Sequence, residues 1–304
     1  MPHPSPLPES LGPSFSTRQA LSAGVGRERL RRLDLRAPYP GIRVSADQAR
    51  AVTLLERARE YAPRLRPGQF YSHETALGLR GVPLPSTPFR PGLHVSAYRP
   101  AREPRVEGVV GHRLQVREPA WSARPLGFPL EHPVRAWRQA GATWHLDDLV
   151  AAADHMIAPR NALASIDELR AEIDLMGDRR GMLRATLALV RVGVRSPRET
   201  SLRLLLARGG LPRAEVNWDL RDRTGRFVAE LDLAFPHWRV CAEYDGRVHE
   251  LDRAQFARDV DRWDSIRGQD WQHVRIIGDH MKHGGREALR RVREALLRAG
   301  WRPS

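Results

Sequence analysis

Two apolar, strand-like segments carry acids where apolar side chains would pack better. Asp232 interrupts the first, Val228 to Phe235, and Glu243 interrupts the second, Arg239 to Tyr244. A Phe235-Pro236-His237-Trp238 turn separates them. Asp and Glu are depleted from strands and costly to bury unpaired. Side chains alternate along a strand, so Glu243 and Asp245 share one face, and a hairpin brings Asp232 beside that face. His249 follows shortly after Asp245. Oxygen donors joined by one imidazole suit a hard divalent cation, Mg2+ or Mn2+. The plainer alternative is a hairpin whose acids pair with the many arginines. Against it, seven carboxylates fall between Glu243 and Asp264 in a chain of net charge +14.

The pattern Ser196-Pro197-Arg198-Glu199, then Asp232-Leu233-Ala234-Phe235-Pro236, then Glu243-Tyr244-Asp245-Gly246-Arg247-Val248-His249, then Arg258-Asp259 and Arg262 resembles a family of nuclease-like domains. That family is related to the very-short-patch-repair endonucleases, within the PD-(D/E)XK superfamily. The resemblance covers about residues 195 to 300. It implies a metal-dependent DNA endonuclease in which Asp232 and Glu243 hold the ion and Arg262 stabilises charge on the phosphate. Asp245 or His249 would orient or deprotonate the attacking water, with Glu199 and Asp259 accessory. Where the wider superfamily has lysine this chain has Asp245, so the identity of the general base stays open. Glu199 also has a capping role, as the third residue of a helix entered through Ser196 and Pro197.

The elements that must position these groups follow from periodicity and punctuation. The spacing predicts a helix from Ser196 to about Arg208, a hairpin over Val216–Arg221 and Arg226–Phe235 turning at Asp222–Gly225, and the acid-bearing hairpin. A helix over Arg253–Gly268 follows, with Phe256, Val260, Trp263 and Ile266 on one face and Asp259 and Arg262 flanking it. A strand over Trp271–Ile277 and a helix over Gly285–Ala299 complete the order αβββαβα. Cys241, the sole cysteine, excludes a disulfide framework and reads as a small core residue.

Upstream, residues 1–14 read as a flexible lead. Ser16 and Gln19 form a capping box for a short helix, and Gly24-Val25-Gly26 precedes a basic helix over Arg27–Leu33. With Pro40–Val44 as a wing, this is a helix-turn-helix or an ordinary helical hairpin with a solvated arginine face. Residues 15–60 resemble the N-terminal winged helix of AbiEi-type antitoxins, and residues 65–190 resemble the middle region of the same proteins. That resemblance implies DNA contact through Arg27, Arg29, Arg31 and Arg32, and a cognate toxin as a possible further partner.

Further elements are a helix over Asp47–Tyr61 with Val52, Leu55 and Ala58 inward, and a helix over His73–Leu79 capped by Ser72. Strands are expected at Leu93–Tyr98, Val106–Val110 and His112–Val116. Helices follow at Trp144–Ile157, from a Ser165–Glu168 capping box to Met176, and at Met182–Val194. His73, His94, His112, His132, His145 and His155 have no tight ligand spacing and read as structural or surface residues.

The fold class expected is therefore multidomain α+β: winged helix at 15–60, mixed α/β middle region at 65–190, and a PD-(D/E)XK-like domain at 195–304. Lys plus Arg total 50 against 36 Asp plus Glu, which favours a polyanionic partner such as DNA. No apolar run approaches the ~20 residues of a membrane span, and a cytoplasmic location is expected. Two functions follow: a metal-dependent endonuclease, or an antitoxin-like regulator whose nuclease fold binds DNA without cutting it.

Overall fold

The computed structural model describes residues 5–86, 92–115, 126–245 and 261–303. Among them the chain is a mixed α/β protein folded as two compact units, Met1–Trp144 and His145–Ser304. The dividing point falls inside the segment 65–190. Gly246, His249, Arg258 and Asp259 lie outside the described residues. No helix among the described residues is long and apolar enough to cross a membrane.

In the first unit β1 (Ser14–Ser16), β2 (Leu35–Arg36) and β3 (Ile42–Ser45) form a sheet in the order β1-β3-β2. Helix α1 (Thr17–Ser22) starts on the expected capping box: the Gln19 N–H donates to Ser16 Oγ at 3.2 Å and the Ser16 N–H donates to Gln19 Oε1 at 2.8 Å. The basic helix expected over 27–33 does not form. Only Arg29–Arg31 make a single 3-10 turn. Arg29 is drawn inward instead, its guanidinium forking Asp34 at 3.0 and 2.8 Å while Nε donates to the Ser5 carbonyl at 2.7 Å. Leu30 is buried with Phe15, Ala20 and Val25. Because β2 begins at Leu35, no chain is left for further helical turns.

The helix expected from Asp47 shortens to α2 (Leu54–Tyr61). Thr53 and Glu56 form a capping box that fixes its start, and Val52, expected on the inner face, is 84% exposed. A second sheet has the order β4 (Gln69–Tyr71), β5 (Leu93–Tyr98), β6 (Val109–Leu114), with β5 and β6 parallel. The two strands expected over 106–116 are this one strand. It runs through Gly111, where a Cβ would lie 2.2 Å from the Pro104 carbonyl, so only glycine admits the crossing loop. Helix α3 (His73–Gly78) follows Ser72, but Ser72 Oγ does not cap it. That oxygen accepts from Ser96 Oγ at 2.6 Å and lies 2.9 Å from His73 Nδ1. Ile42 and Val44 of β3 pack in one core with Tyr61, Tyr71, Leu93 and Val95, and α4 (Pro133–Ala140) completes the unit.

In the second unit α5 (Leu146–Ile157), α6 (Ile166–Met176), α7 (Met182–Leu189) and α8 (Pro197–Arg208) precede a four-stranded sheet. Its strands are β7 (Glu215–Arg221), β8 (Phe227–Phe235), β9 (Val240–Asp245) and β10 (Gln272–Ile277), ordered β10-β9-β8-β7. Neighbours from β7 to β9 are antiparallel, whereas β9 and β10 are parallel. Parallel pairing needs a crossover, and the helical residues 261–267 (α9) belong to it. Leu233, Phe235, Val240 and Ala242 pack against Leu202 and Leu206 of α8 and against Val292 and Leu296 of α10 (Arg286–Arg298). Ala234 and Cys241 join Ile266 of α9 and Trp271 in a second cluster.

Helix α5 is locked to α8 by a buried ion pair. Arg203 Nη2 donates to Asp154 Oδ2 at 2.8 Å, and the same carboxylate accepts from Thr200 Oγ1 at 2.8 Å and the Arg191 N–H at 2.7 Å. Burial pushes the Asp154 carboxyl above its ordinary range, and these donors oppose that rise. Asp154→Ala should strand the Arg203 charge and lower the stability of the second unit by roughly 3–5 kcal/mol in urea unfolding followed by circular dichroism. A loss below about 1 kcal/mol would show that the pair does not hold the two helices.

Candidate functional site

The β8–β9 ladder ends at Leu233↔Ala242, and the two predicted acids stand immediately past that point. There the Tyr244 N–H donates to Asp232 Oδ2 at 3.3 Å. Asp232, Glu243 and Asp245 line one cavity of about 500 Å³, together with Glu199 from the first turn of α8 and Arg262 from α9. The fold thus brings Asp232, Glu243, Asp245, Arg262 and Glu199, all expected from the sequence, to a common site. His249 and Asp259 are outside the described residues.

The two central acids are treated oppositely. Glu243 is 6% exposed, and Arg262 grips it with both terminal nitrogens, Nη1 to Oε2 at 2.8 Å and Nη2 to Oε1 at 2.6 Å. His273 Nε2 lies 2.9 Å from the same Oε2. Burial alone would raise the Glu243 carboxyl, but the hydrogen bonds from His273 and Arg262 outweigh it and hold the group below the ordinary glutamate range. Asp232 has no such grip. Burial first, then the negative charges of Glu199 and Glu243, push its carboxyl up to about 7 against the opposing Tyr244 N–H and Arg262. Asp245 is held by Arg275, whose Nε donates to Oδ2 at 2.8 Å.

Glu199 serves twice. Its N–H donates to Ser196 Oγ at 3.2 Å as the sequence implies, while its Oε2 accepts from the Arg195 N–H at 2.9 Å. The carboxyl remains on the cavity wall.

Three contributors went unread in the sequence. His273 and Arg275 alternate along β10 in register with Cys241 and Glu243 of β9. Their signal is the polar alternation within Gln272-His273-Val274-Arg275-Ile276, which sets both side chains on one face of a strand. Trp263, expected on an inner helical face, instead stacks on His273 at 5.7 Å between ring centroids and carries the Arg275 guanidinium at 4.8 Å.

A divalent cation would find its donors in Asp232, Glu243 and Glu199. Burial, and after it the charges of Glu199 and Glu243, keep a proton on Asp232 near neutrality, and a bound cation would displace it. Both Glu243 oxygens already accept from protein donors, so a cation would have to share them with Arg262 and His273. At the N-terminus Arg27, Arg31 and Arg32 are exposed, but Arg31 pairs with Glu28 at 2.9 Å and Arg29 is committed to Asp34.

Comparison with known proteins finds two from Mycobacterium tuberculosis, each described as "Uncharacterized protein": MT2308 of strain CDC 1551 / Oshkosh and Rv2248 of strain ATCC 25618 / H37Rv. Each is 30% identical over 217 residues, covering 69% of this chain and 73% of the relative. No family model and no solved structure matches the chain.

The raised Asp232 carboxyl has a pH consequence. Between the unfolded value near 4 and the folded value of about 7, the folded chain keeps a proton that the unfolded chain has lost. The stability from this group is complete below about pH 4 and disappears as pH rises toward 7. In chelator-treated protein Asp232→Asn should therefore flatten the fall in stability from pH 5 to pH 8, gaining on the order of 3 kcal/mol over wild type at the upper end. Parallel urea midpoints across that range would refute the assignment.

Proposed function

The chain belongs to one family with these two mycobacterial proteins, and we propose, on the geometry of its site, that its second unit is a metal-dependent phosphodiesterase acting on DNA. The observation that carries the reading is the convergence of Glu199, Asp232 and Glu243 on one cavity, with Asp232 pushed up to about 7 by burial first and then by the charges of Glu199 and Glu243. The strand order β10-β9-β8-β7 with a single parallel pair, flanked by α8 and α10, supports the nuclease resemblance of residues 195 to 300. Asp232 and Glu243 would hold Mg2+ or Mn2+, which when bound polarises the scissile phosphate and acidifies a water. The chain's own groups do the remainder. Arg262 fixes Glu243 and carries positive charge to the cavity wall. His273 completes the grip on Glu243, and Asp245, tethered by Arg275, is an acceptor that orients rather than a detached base. His249 remains the proposed proton acceptor.

One observation favours the second reading, an antitoxin-like DNA-binding regulator, paired with a cognate toxin, that does not cut. Arg262 already neutralises Glu243 by a bidentate pair, which is how a retired metal site would be closed. Supercoiled plasmid separates the two. The first reading expects nicking that needs Mn2+ or Mg2+ and falls at least ~100-fold in Asp232→Asn and Glu243→Gln, with DNA affinity kept within about threefold. Retention of plasmid in gel shifts, with no nicking by wild type in either metal, would leave the regulator.

Both readings place DNA on the basic N-terminal turn, now through Arg27, Arg31 and Arg32, since Arg29 is occupied by Asp34. Changing those three to alanine should reduce the slope of log affinity against log salt by about 2–3, because each phosphate contact contributes roughly 0.9. Arg29→Ala should instead lower stability, by loss of the Asp34 fork. An unchanged slope in the triple variant would remove this segment from the DNA interface.

A further inference from the structure

The first unit holds a second cluster that the carboxylate site does not use. His73 opens α3, His94 lies on β5 and His112 on β6, 21 and 18 residues apart in sequence. Each offers one ring nitrogen, and these atoms lie within 4.8 Å of one another. His94 and His112 face each other across the parallel pair in the register Ser96↔His112 and His94↔Val110, with His112 Nε2 3.0 Å from His94 Nδ1. His73 stacks on His112 at 3.6 Å between centroids, nearly parallel.

We propose that His73, His94 and His112 form a binding site for a zinc-class divalent ion, with a fourth coordination position left to an exchangeable ligand. Three features point there. The first is spacing: two imidazole nitrogens on one tetrahedral zinc, at about 2.05 Å each, stand about 3.3 Å apart, close to the His94–His112 separation.

The second is the outer shell. His94 Nε2, on the far side of its ring from His112, lies 3.0 Å from Glu74 Oε1. Glu74 is itself buried, and its other oxygen accepts from Trp144 Nε1 at 3.0 Å. A carboxylate fixed by an indole and holding the outer nitrogen of an imidazole is the arrangement that orients a metal-bound histidine and raises its basicity. His73 Nδ1 likewise lies 2.9 Å from Ser72 Oγ, which accepts from Ser96 Oγ, so Nε2 is the nitrogen His73 would offer.

The third is access. His94 is buried while His73 and His112 are largely buried with partial exposure, so an ion on the three nitrogens has protein beneath it and lies near the surface. Three imidazoles without a thiolate or carboxylate select zinc and its neighbours in the late first-row series over Mg2+. The site is therefore distinct in ion preference from the carboxylate cavity.

The test uses the full chain, stripped with chelator and titrated with Co2+ as the probe. The expected result is about one cobalt per chain with the intense visible d–d absorption of a four- or five-coordinate nitrogen site, lost on adding Zn2+. His73→Gln and His112→Gln should each weaken calorimetric zinc affinity at least ~100-fold, and Glu74→Gln about 10–100-fold. Asp232→Asn should leave the cobalt band in place. Absence of the band in wild-type protein overturns the proposal without relying on any variant. So does a band that survives the double His73→Gln, His112→Gln change in protein with wild-type circular dichroism, or one that disappears in Asp232→Asn.

Discussion

Glu243 sits on an inner strand with almost no exposure, and a carboxylate there is tolerable only if charge and hydrogen bonds are brought to it. That requirement shapes the second unit. α9 presents Arg262 to the sheet, and β10, parallel to β9, brings His273 in reach of the carboxylate. Trp263, stacked on His273, then holds Arg275 where it can take Asp245. Each partner is itself placed by the previous one. Once Glu243 is satisfied, its negative charge becomes a fixed source that acts on Asp232, which among the described residues accepts from the Tyr244 N–H. The two acids thus divide the work: one is pinned and ionised, and the other is left able to exchange a proton near neutral pH.

The same pairing appears in the first unit with the roles reversed. Glu243 is served by the imidazole of His273, whereas Glu74 is anchored by Trp144 and serves the imidazole of His94. What differs is the surrounding chemistry. Around Glu243 the next groups are arginines, which keep a carboxylate charged. Around His94 the next groups are other imidazoles, which share a preference for a soft or borderline cation. A buried acid beside a histidine is therefore not a signature of one function; the next layer of side chains decides.

What could be read in the sequence was what is local. The capping boxes at Ser16 and Ser165, the Ser196 N-cap, the Asp222–Gly225 turn and the acid-bearing hairpin depend on residues a few positions apart, and each is found where expected. The failures share a cause too. The basic helix at 27–33 was lost to a contact between Arg29 and Asp34, five residues apart and out of phase with a helix, so periodicity held no trace of it. Val52 fits the apolar period of a helix from Asp47, yet the Thr53–Glu56 box outweighs it and starts the helix at Leu54. His273 and Arg275, like His94 and His112, come from strands paired in parallel across intervening chain, and His73 joins the latter two from the start of α3, a register that sequence spacing cannot disclose.

The arginine excess was the strongest compositional signal, and the structure changes what it means. Arg29, Arg203, Arg262 and Arg275 are each committed to a carboxylate, and Arg203 and Arg262 do so on largely buried acids. Guanidinium groups suit that task because they stay charged and present a planar fork to a carboxylate. Part of the basic composition is consequently spent holding acids inside the fold rather than projecting a field to solvent. A net charge of +14 therefore sets the sign of the attraction a polyanion feels. Where it binds is decided by the arginines that the fold has not already used.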